Sequence, residues 1–321
     1  VREAAGLLVF AMAVATIGVA GLHRARWPEH APRLGVIAWQ TLSGSVLAAL
    51  LLAGVTLSVP STEVGGSLTD LLHACVTALR AQYATPGGAA LHAVGAAGTA
   101  ALVVRSTFLV VTGLVGARRA REDHLHRLRL AARREDTLDA LIVEHPAAAA
   151  YCLPGRARTI VLTSAAIAAL GDAELAAVLT HERAHLRGRH HLVLAAASAL
   201  ARTLPFLPGL RTAQTEQARL VEMIADDEAA KGGARVTVAR ALVHLAEGSV
   251  PASALGAADV ATAARVHRML GPKHSVGVGR RTLIAAAIVL TATAPIVLAA
   301  WPAVAVAQSD SCPIVIASAP A

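Results

Sequence analysis

Four long apolar runs frame a more polar middle. They cover roughly 4–21, 35–59, 89–116 and 282–301, and each approaches or exceeds the ~20 apolar residues that a helix needs to cross a bilayer. The first has no Lys/Arg-rich leader and no clear small-residue cleavage site after it, so we read it as a retained span and not a signal peptide. The third contains His92 and Arg105 and is the least clean. Arg105 is expected to face a bundle interior or a water-filled cleft, or to mark a break in the span, more than to act as a functional charge.

Between the third and fourth runs the pattern changes to that of a compact domain. Residues 117–140 read as a helix, and 148–163 as two short strands around the turn Leu153-Pro154-Gly155. Ser164–Leu170 reads as a short helix. Gly171-Asp172 stops it and caps a helix over 173–188. The apolar stretch 190–204 lies in the domain core or against a membrane, and helices are expected at 212–231, 234–247 and 256–270. The expected fold class is a mainly α-helical membrane protein with about four transmembrane helices and an α+β domain between spans three and four. Its parts are a membrane domain over 1–116, a compact cytoplasmic domain over 117–281, a fourth span over 282–301 and a short extracytoplasmic tail over 302–321.

Composition supports the membrane reading. Hydrophobic residues make up 55% and charged residues 16% of 321, with mean hydropathy +0.57. Ordinary soluble domains carry about 25% charged residues, and disordered chains are far less apolar. Aromatics at 2% argue against base-stacking nucleic-acid modules. The net charge is +8, and only Lys231 and Lys273 among the basic residues are not arginine. With the abundance of alanine, this suits GC-rich codon usage and a bacterial origin.

The placement of the charges gives an orientation. Arg24, Arg26 and Arg33 follow the first run, Arg118, Arg119, Arg121, Arg127, Arg129, Arg133 and Arg134 follow the third, and Arg280 and Arg281 precede the fourth. All fall on one side if both termini lie outside and 117–281 lies in the cytoplasm of a bacterial inner membrane. The seven-arginine stretch then reads as an interfacial helix on anionic headgroups, with no direct nucleic-acid binding expected. Three cysteines, Cys75, Cys152 and Cys312, are too scattered for a disulfide framework or a cysteine zinc site. Cys75 and Cys312 would both lie outside, either paired or as two separate thiols.

The chemistry is concentrated at His181-Glu182-Arg183-Ala184-His185. On a helix, positions i and i+4 share a face, so both imidazoles can reach one zinc ion while Glu182 stands beside them as a base. A third ligand is needed, with one position left open. Glu222 is the candidate, and Asp226, four residues on, can accept the second ring N–H of a ligand histidine. Taken separately, each pair also reads as a polar helix face. Arg219 and His244 are candidates for stabilising a developing oxyanion, against a packing or surface role. His190 and His191 read as structural or membrane-interface residues. The strand Arg158–Thr163 is expected to offer an exposed edge to an extended peptide.

With these residues in view, the chain resembles the BlaR/MecR-type membrane zinc peptidases of family M56 and the related Ste24/HtpX-type peptidases. The resemblance covers 117–281 and the four-span layout. It is carried by Pro154-Gly155 and Thr159-Ile160-Val161-Leu162-Thr163-Ser164, by Glu174-Leu175-Ala176-Ala177-Val178-Leu179 running into the His181–His185 motif, by His190, and by Glu222-x-x-Ala225-Asp226-x-x-Ala229. It implies a gluzincin domain with His181, His185 and Glu222 holding one zinc per chain and Glu182 as catalytic base. BlaR/MecR proteins couple such a domain to an outside sensor that a β-lactam acylates, and a DNA-bound repressor is lost. Here residues 302–321 are too few for a penicillin-binding domain, so no covalent β-lactam sensor is expected in this chain.

The expected function is therefore a membrane zinc endopeptidase acting on a protein or peptide, with regulatory cleavage of a cytoplasmic repressor or regulator foremost. A housekeeping peptidase that clears misfolded membrane segments is the first alternative. A non-catalytic signal transducer with a zinc-stabilised domain is the second, and Glu182 argues against it, because a structural zinc site needs no base there.

Overall fold

The computed structural model describes residues 2–58, 87–155, 158–249, 257–272 and 275–309. The expectations placed on Cys75 and on Cys312 lie outside these residues. The chain divides into two compact units, one of 1–18, 41–106 and 286–321, the other of 19–40 and 107–285.

The apolar runs form helices: α1 (Arg2–Arg24, with a π-helical turn at Val14–Gly18), α3 (Pro32–Ser58), α4 (Gly88–Ala131) and α11 (Val278–Ser309). The short helix α2 (Trp27–His30) lies between α1 and α3. Among the described residues, four helices are thus long and apolar enough to cross a membrane. In the first unit, Gly54 and Gly95 let α3 and α4 approach closely. A Cβ on Gly95 would meet the Gly54 carbonyl oxygen at 3.1 Å, the use that small residues have in apolar helix pairs.

Two expectations about this region change. The helix after the third run does not extend to residue 140, and it is continuous with that run. Helix α4 is one unbroken element of 44 residues, about 66 Å long at 1.5 Å per residue, and it carries Arg105 through Arg129 without a break. The chain leaves it directly into a strand, because Arg133 pairs with Glu135 and Arg134 with Asp136 along an extended backbone.

The second unit contains the sheet: β1 (Ala132–Glu135), β2 (Ala140–Val143), β3 (Ala150–Leu153) and β4 (Thr159–Thr163), in the order β1-β2-β4-β3. β1 and β2 are antiparallel, β2 and β4 parallel, and β3 and β4 antiparallel, with Tyr151 opposite Val161. This overturns the exposed edge expected at Arg158–Thr163. That strand is hydrogen-bonded on both sides, and Ile160, Val161 and Leu162 are buried. The edge strands are β3, on this side of the sheet, and β1 on the other.

Helices follow the sheet: α5 (Ser164–Ala169), α6 (Asp172–Arg187), α7 (His190–Thr203), α8 (Pro208–Ala229), α9 (Arg235–Ser249) and α10 (Ala257–Leu270). Thr163 ends β4 and caps α5, its hydroxyl accepting from the Ala166 N–H at 3.2 Å. The cap of α6 is Gly171, not Asp172. Its N–H donates to the Glu174 carboxylate, which reaches back from the first turn. One core joins sheet and helices through Ile160, Leu162, Val178, Leu179, Leu186 and Ala241, and a second joins Ala177, Ala229, Val238 and Met269. Helix α6 is shared by both, so the face that carries its histidines is fixed against the sheet and against α8 and α9.

Candidate active site

Helix α6 supplies His181, Glu182 and His185, and helix α8 supplies Glu222 and Asp226. The i, i+4 spacing on each helix turns both pairs toward the other helix. The Nε2 atoms of His181 and His185 are 3.1 Å apart. Glu222 Oε2 is 3.5 Å from His181 Nε2, and Glu222 Oε1 is 3.5 Å from His185 Nε2. Donor atoms on a tetrahedral zinc, with bonds of 2.0–2.2 Å, stand about 3.3–3.5 Å from one another. The three side chains thus offer one atom each around a point of the right size for that ion.

The outer ring nitrogens set the tautomers. His181 Nδ1 lies 3.0 Å from Asp226 Oδ1, a fully buried carboxylate, and donates to it. His185 Nδ1 lies 3.1 Å from His190 Nδ1. Both Nε2 atoms are therefore directed inward. His190, expected to be structural, is buried directly behind a candidate ligand. Gly188 makes room for it, because a Cβ at that position would overlap the imidazole of His190.

Arginine 265, on α10, completes the cluster. Its guanidinium donates to both Asp226 oxygens, at 2.6 and 2.8 Å, and its Nη1 is 3.1 Å from Glu222 Oε2. Burial alone would raise the Asp226 carboxyl, but the hydrogen bonds from Arg265 and His181 hold it down at about 2. Glu222 is also lowered: burial opposes its charge, and His181 and Arg265 outweigh burial. Burial disfavours the His181 cation, yet the two carboxylates lift it to about 9, whereas burial brings His185 down to about 4. Burial raises the Glu182 carboxyl above the ordinary glutamate range.

A cavity of about 300 Å³ opens beside this cluster. His181, Glu182, Glu222, Asp226 and Arg265 form its polar end, and Val178, Leu242 and Leu245 line its apolar part. Ala148, Ala149 and Ala150 bring the entrance of β3 to its rim. Cys152 lies two residues along the same strand, and burial, with the nearby charge of Glu182, pushes its thiol up to about 12, so that it stays neutral.

Two oxyanion candidates do not reach this cavity. Arg219 is held by Glu216 and by Glu29, and His244 Nδ1 is 2.9 Å from Glu174 Oε2. Neither lines the cavity, and the guanidinium at its wall is that of Arg265. Sequence reading missed Arg265, Cys152 and the place of His190. Arg265 has no motif spacing to the histidines, and its partners Glu222 and Asp226 lie about 40 residues away. A signal for His190 was present, since it falls five residues beyond His185, across a glycine.

Residues 116–274 match the model of peptidase family M48. The match supports a zinc metallopeptidase domain in that stretch, and it spans the whole constellation from His181 to Arg265. It does not reach the narrower BlaR/MecR subtype. Among curated proteins and among solved structures, nothing matches the chain.

Proposed function

We propose that this chain is an integral-membrane zinc endopeptidase of the gluzincin type, with His181, His185 and Glu222 as the metal ligands and Glu182 as the general base. The observation that carries this reading is the convergence of three donor atoms, 3.1 to 3.5 Å apart, beside a buried glutamate whose affinity for protons is raised. A bound zinc ion supplies the Lewis acidity that polarises a scissile carbonyl and acidifies a water. Glu182 takes the proton from the attacking water and returns it to the leaving amine, a role that a raised carboxyl pKa suits. Asp226 holds His181 in the tautomer that leaves Nε2 to the metal, and Arg265 keeps Asp226 and Glu222 ionised.

The substrate is a protein or peptide in extended conformation. Thr163 N–H donates to the Ala149 carbonyl, so in the antiparallel alternation Ala149, Tyr151 and Leu153 bond to β4, while the main-chain groups of Ala150 and Cys152 turn outward along the free edge. That edge runs from the cavity rim toward Glu182. A peptide added to it would bring its scissile bond to the base.

The arginine-rich flanks support a cytoplasmic placement for the peptidase domain and an outside placement for both termini. The four parts read from the sequence, 1–116, 117–281, 282–301 and 302–321, stand as our division by function. In this setting the enzyme cleaves a cytoplasmic regulator, a DNA-binding repressor being the candidate, as part of signal transduction. The test is a substrate search with Glu182→Gln as a trap in cells, paired with cleavage by the purified wild type. Capture of a protein that the wild type cuts supports the reading. A wild type that binds zinc yet hydrolyses no peptide or protein in a broad library overturns the enzymatic part.

A further inference from the structure

The carboxylates at the metal side are not anchored by their own helices alone. Glu29, in the short helix α2, gathers two arginines from two helices. Its carboxylate accepts from Arg219 of α8 at 2.8 Å. Its main-chain carbonyl accepts from Arg268 of α10 at 3.2 and 3.3 Å. The same Arg268 guanidinium makes a two-pronged bond to Asp227 of α8, at 2.8 and 2.9 Å. These residues stand one turn from the chemistry: Arg219 precedes Glu222 by three positions, Arg268 follows Arg265 by three, and Asp227 adjoins Asp226.

Helices α8 and α10 are therefore joined by two parallel arginine–carboxylate links. The inner link, Arg265 to Asp226 and Glu222, belongs to the site. The outer one, Arg268 to Asp227, is tied to the segment between the first two apolar helices. The approach is close: Gly35 touches α8 so tightly that a Cβ there would meet Leu220 Cδ1 at 2.9 Å. A planar fork that satisfies a carboxylate and a carbonyl at once is a task for arginine, and lysine, a point charge on a flexible stem, cannot reproduce it.

We infer that Glu29, Arg219 and Arg268 form a positioning clamp that sets where Glu222 and Arg265 stand, so that the metal site depends on the segment joining α1 to α3. None of the three lines the cavity. They act through α8 and α10 and touch no reacting atom. The inference rests on the zinc reading proposed above.

The experiment uses the full chain in detergent, as wild type, Arg268→Lys, Arg268→Ala and Glu29→Gln. Zinc affinity is measured by competition with a chromophoric chelator, and the visible spectrum is recorded after loading with Co²⁺. Arg268→Lys is the main variant, since it keeps charge and bulk, and the folded fraction of each is isolated by gel filtration. The expected result is zinc affinity weakened by about tenfold or more in both Arg268 variants, as for loss of other groups that orient a ligand. The Co²⁺ bands should shift in the folded protein, with a smaller effect in Glu29→Gln, which keeps its carbonyl. A merely structural role would lower the folded yield and leave the Co²⁺ spectrum of the folded fraction unchanged. Unchanged affinity and spectrum in both Arg268 variants, beside a wild type that binds zinc, overturn the clamp and leave the peptidase reading standing. A folded wild type that binds neither metal overturns both.

Discussion

In the mechanism proposed above, Glu182 moves a proton, and its surroundings suit that task. It is nearly enclosed, burial raises its pKa, and its neighbours in the metal-free site include a cationic His181 and a neutral Cys152 thiol. Replacement by Gln should keep the zinc and remove the base, and kcat should fall by about 10²–10⁴-fold, the usual contribution of general acid–base catalysis. Metal analysis beside peptide hydrolysis checks this; activity within a factor of three of wild type would assign the base elsewhere. A second prediction follows from His181. Its pKa of about 9 means that the metal-free ring is protonated at neutral pH, and the second proton must leave before Nε2 can accept a metal. Zinc uptake at pH 7 should release about one proton, and apparent affinity should rise about tenfold per pH unit until pH reaches about 9. Calorimetry in buffers of different ionisation enthalpy measures the proton count, and a heat independent of buffer contradicts the assignment. The histidine pair and Glu182 were legible in the sequence because helical periodicity alone brings i and i+4 together. Glu222 and Asp226 were legible for the same reason. Arg265 was not, because its contact depends on how α10 packs on α8, which no local pattern records.

Strands and helices carry the next level of the account. Both apolar strands around Leu153-Pro154-Gly155 were readable from composition and turn residues, and their antiparallel pairing follows from the short connection. The order of the sheet was not readable. β2 pairs in parallel with β4 across an intervening strand, and this non-local pairing places β4 inside and β3 at the edge. The difference decides where a substrate can lie. Proline at Ala150 removes an N–H that points away from the sheet, and edge strands tolerate proline there. Ala150→Pro should therefore keep the fold and the zinc while losing most peptide cleavage, as followed by kcat/KM on one peptide. Full cleavage would detach the substrate from β3. In contrast, Leu162→Ala in β4 empties a fully buried position and should cost about 2–5 kcal/mol, measured as a lowered thermal midpoint. The helix boundary at Ala131 was missed because Arg133 and Arg134 are good helix formers, while the sheet pairing with β2 and the partners Glu135 and Asp136 hold them in a strand.

In the molecule as a whole, four long apolar helices among the described residues accompany a stretch, 116–274, that matches family M48. The hydropathy of the sequence made these helices plain, because each contains a long run that is almost wholly apolar. The link from Glu29 to α8 and α10 was hidden, since it joins residues about 190 and 240 positions apart. The chain should remain with membranes through an alkaline wash and come away with detergent; release by the wash alone would count against the spans. The central claim is narrower, that His181, His185 and Glu222 hold one zinc ion at which peptide bonds are cut. Its most direct test is the metal content of the detergent-purified chain beside His185→Ala and Glu222→Ala, each shown to be folded. The account predicts about one zinc per wild-type chain, strongly reduced in both variants, with hydrolysis lost in step and restored to the stripped wild type by added zinc. A folded wild type that takes up no zinc when zinc is offered, or variants that keep a full complement, would contradict it.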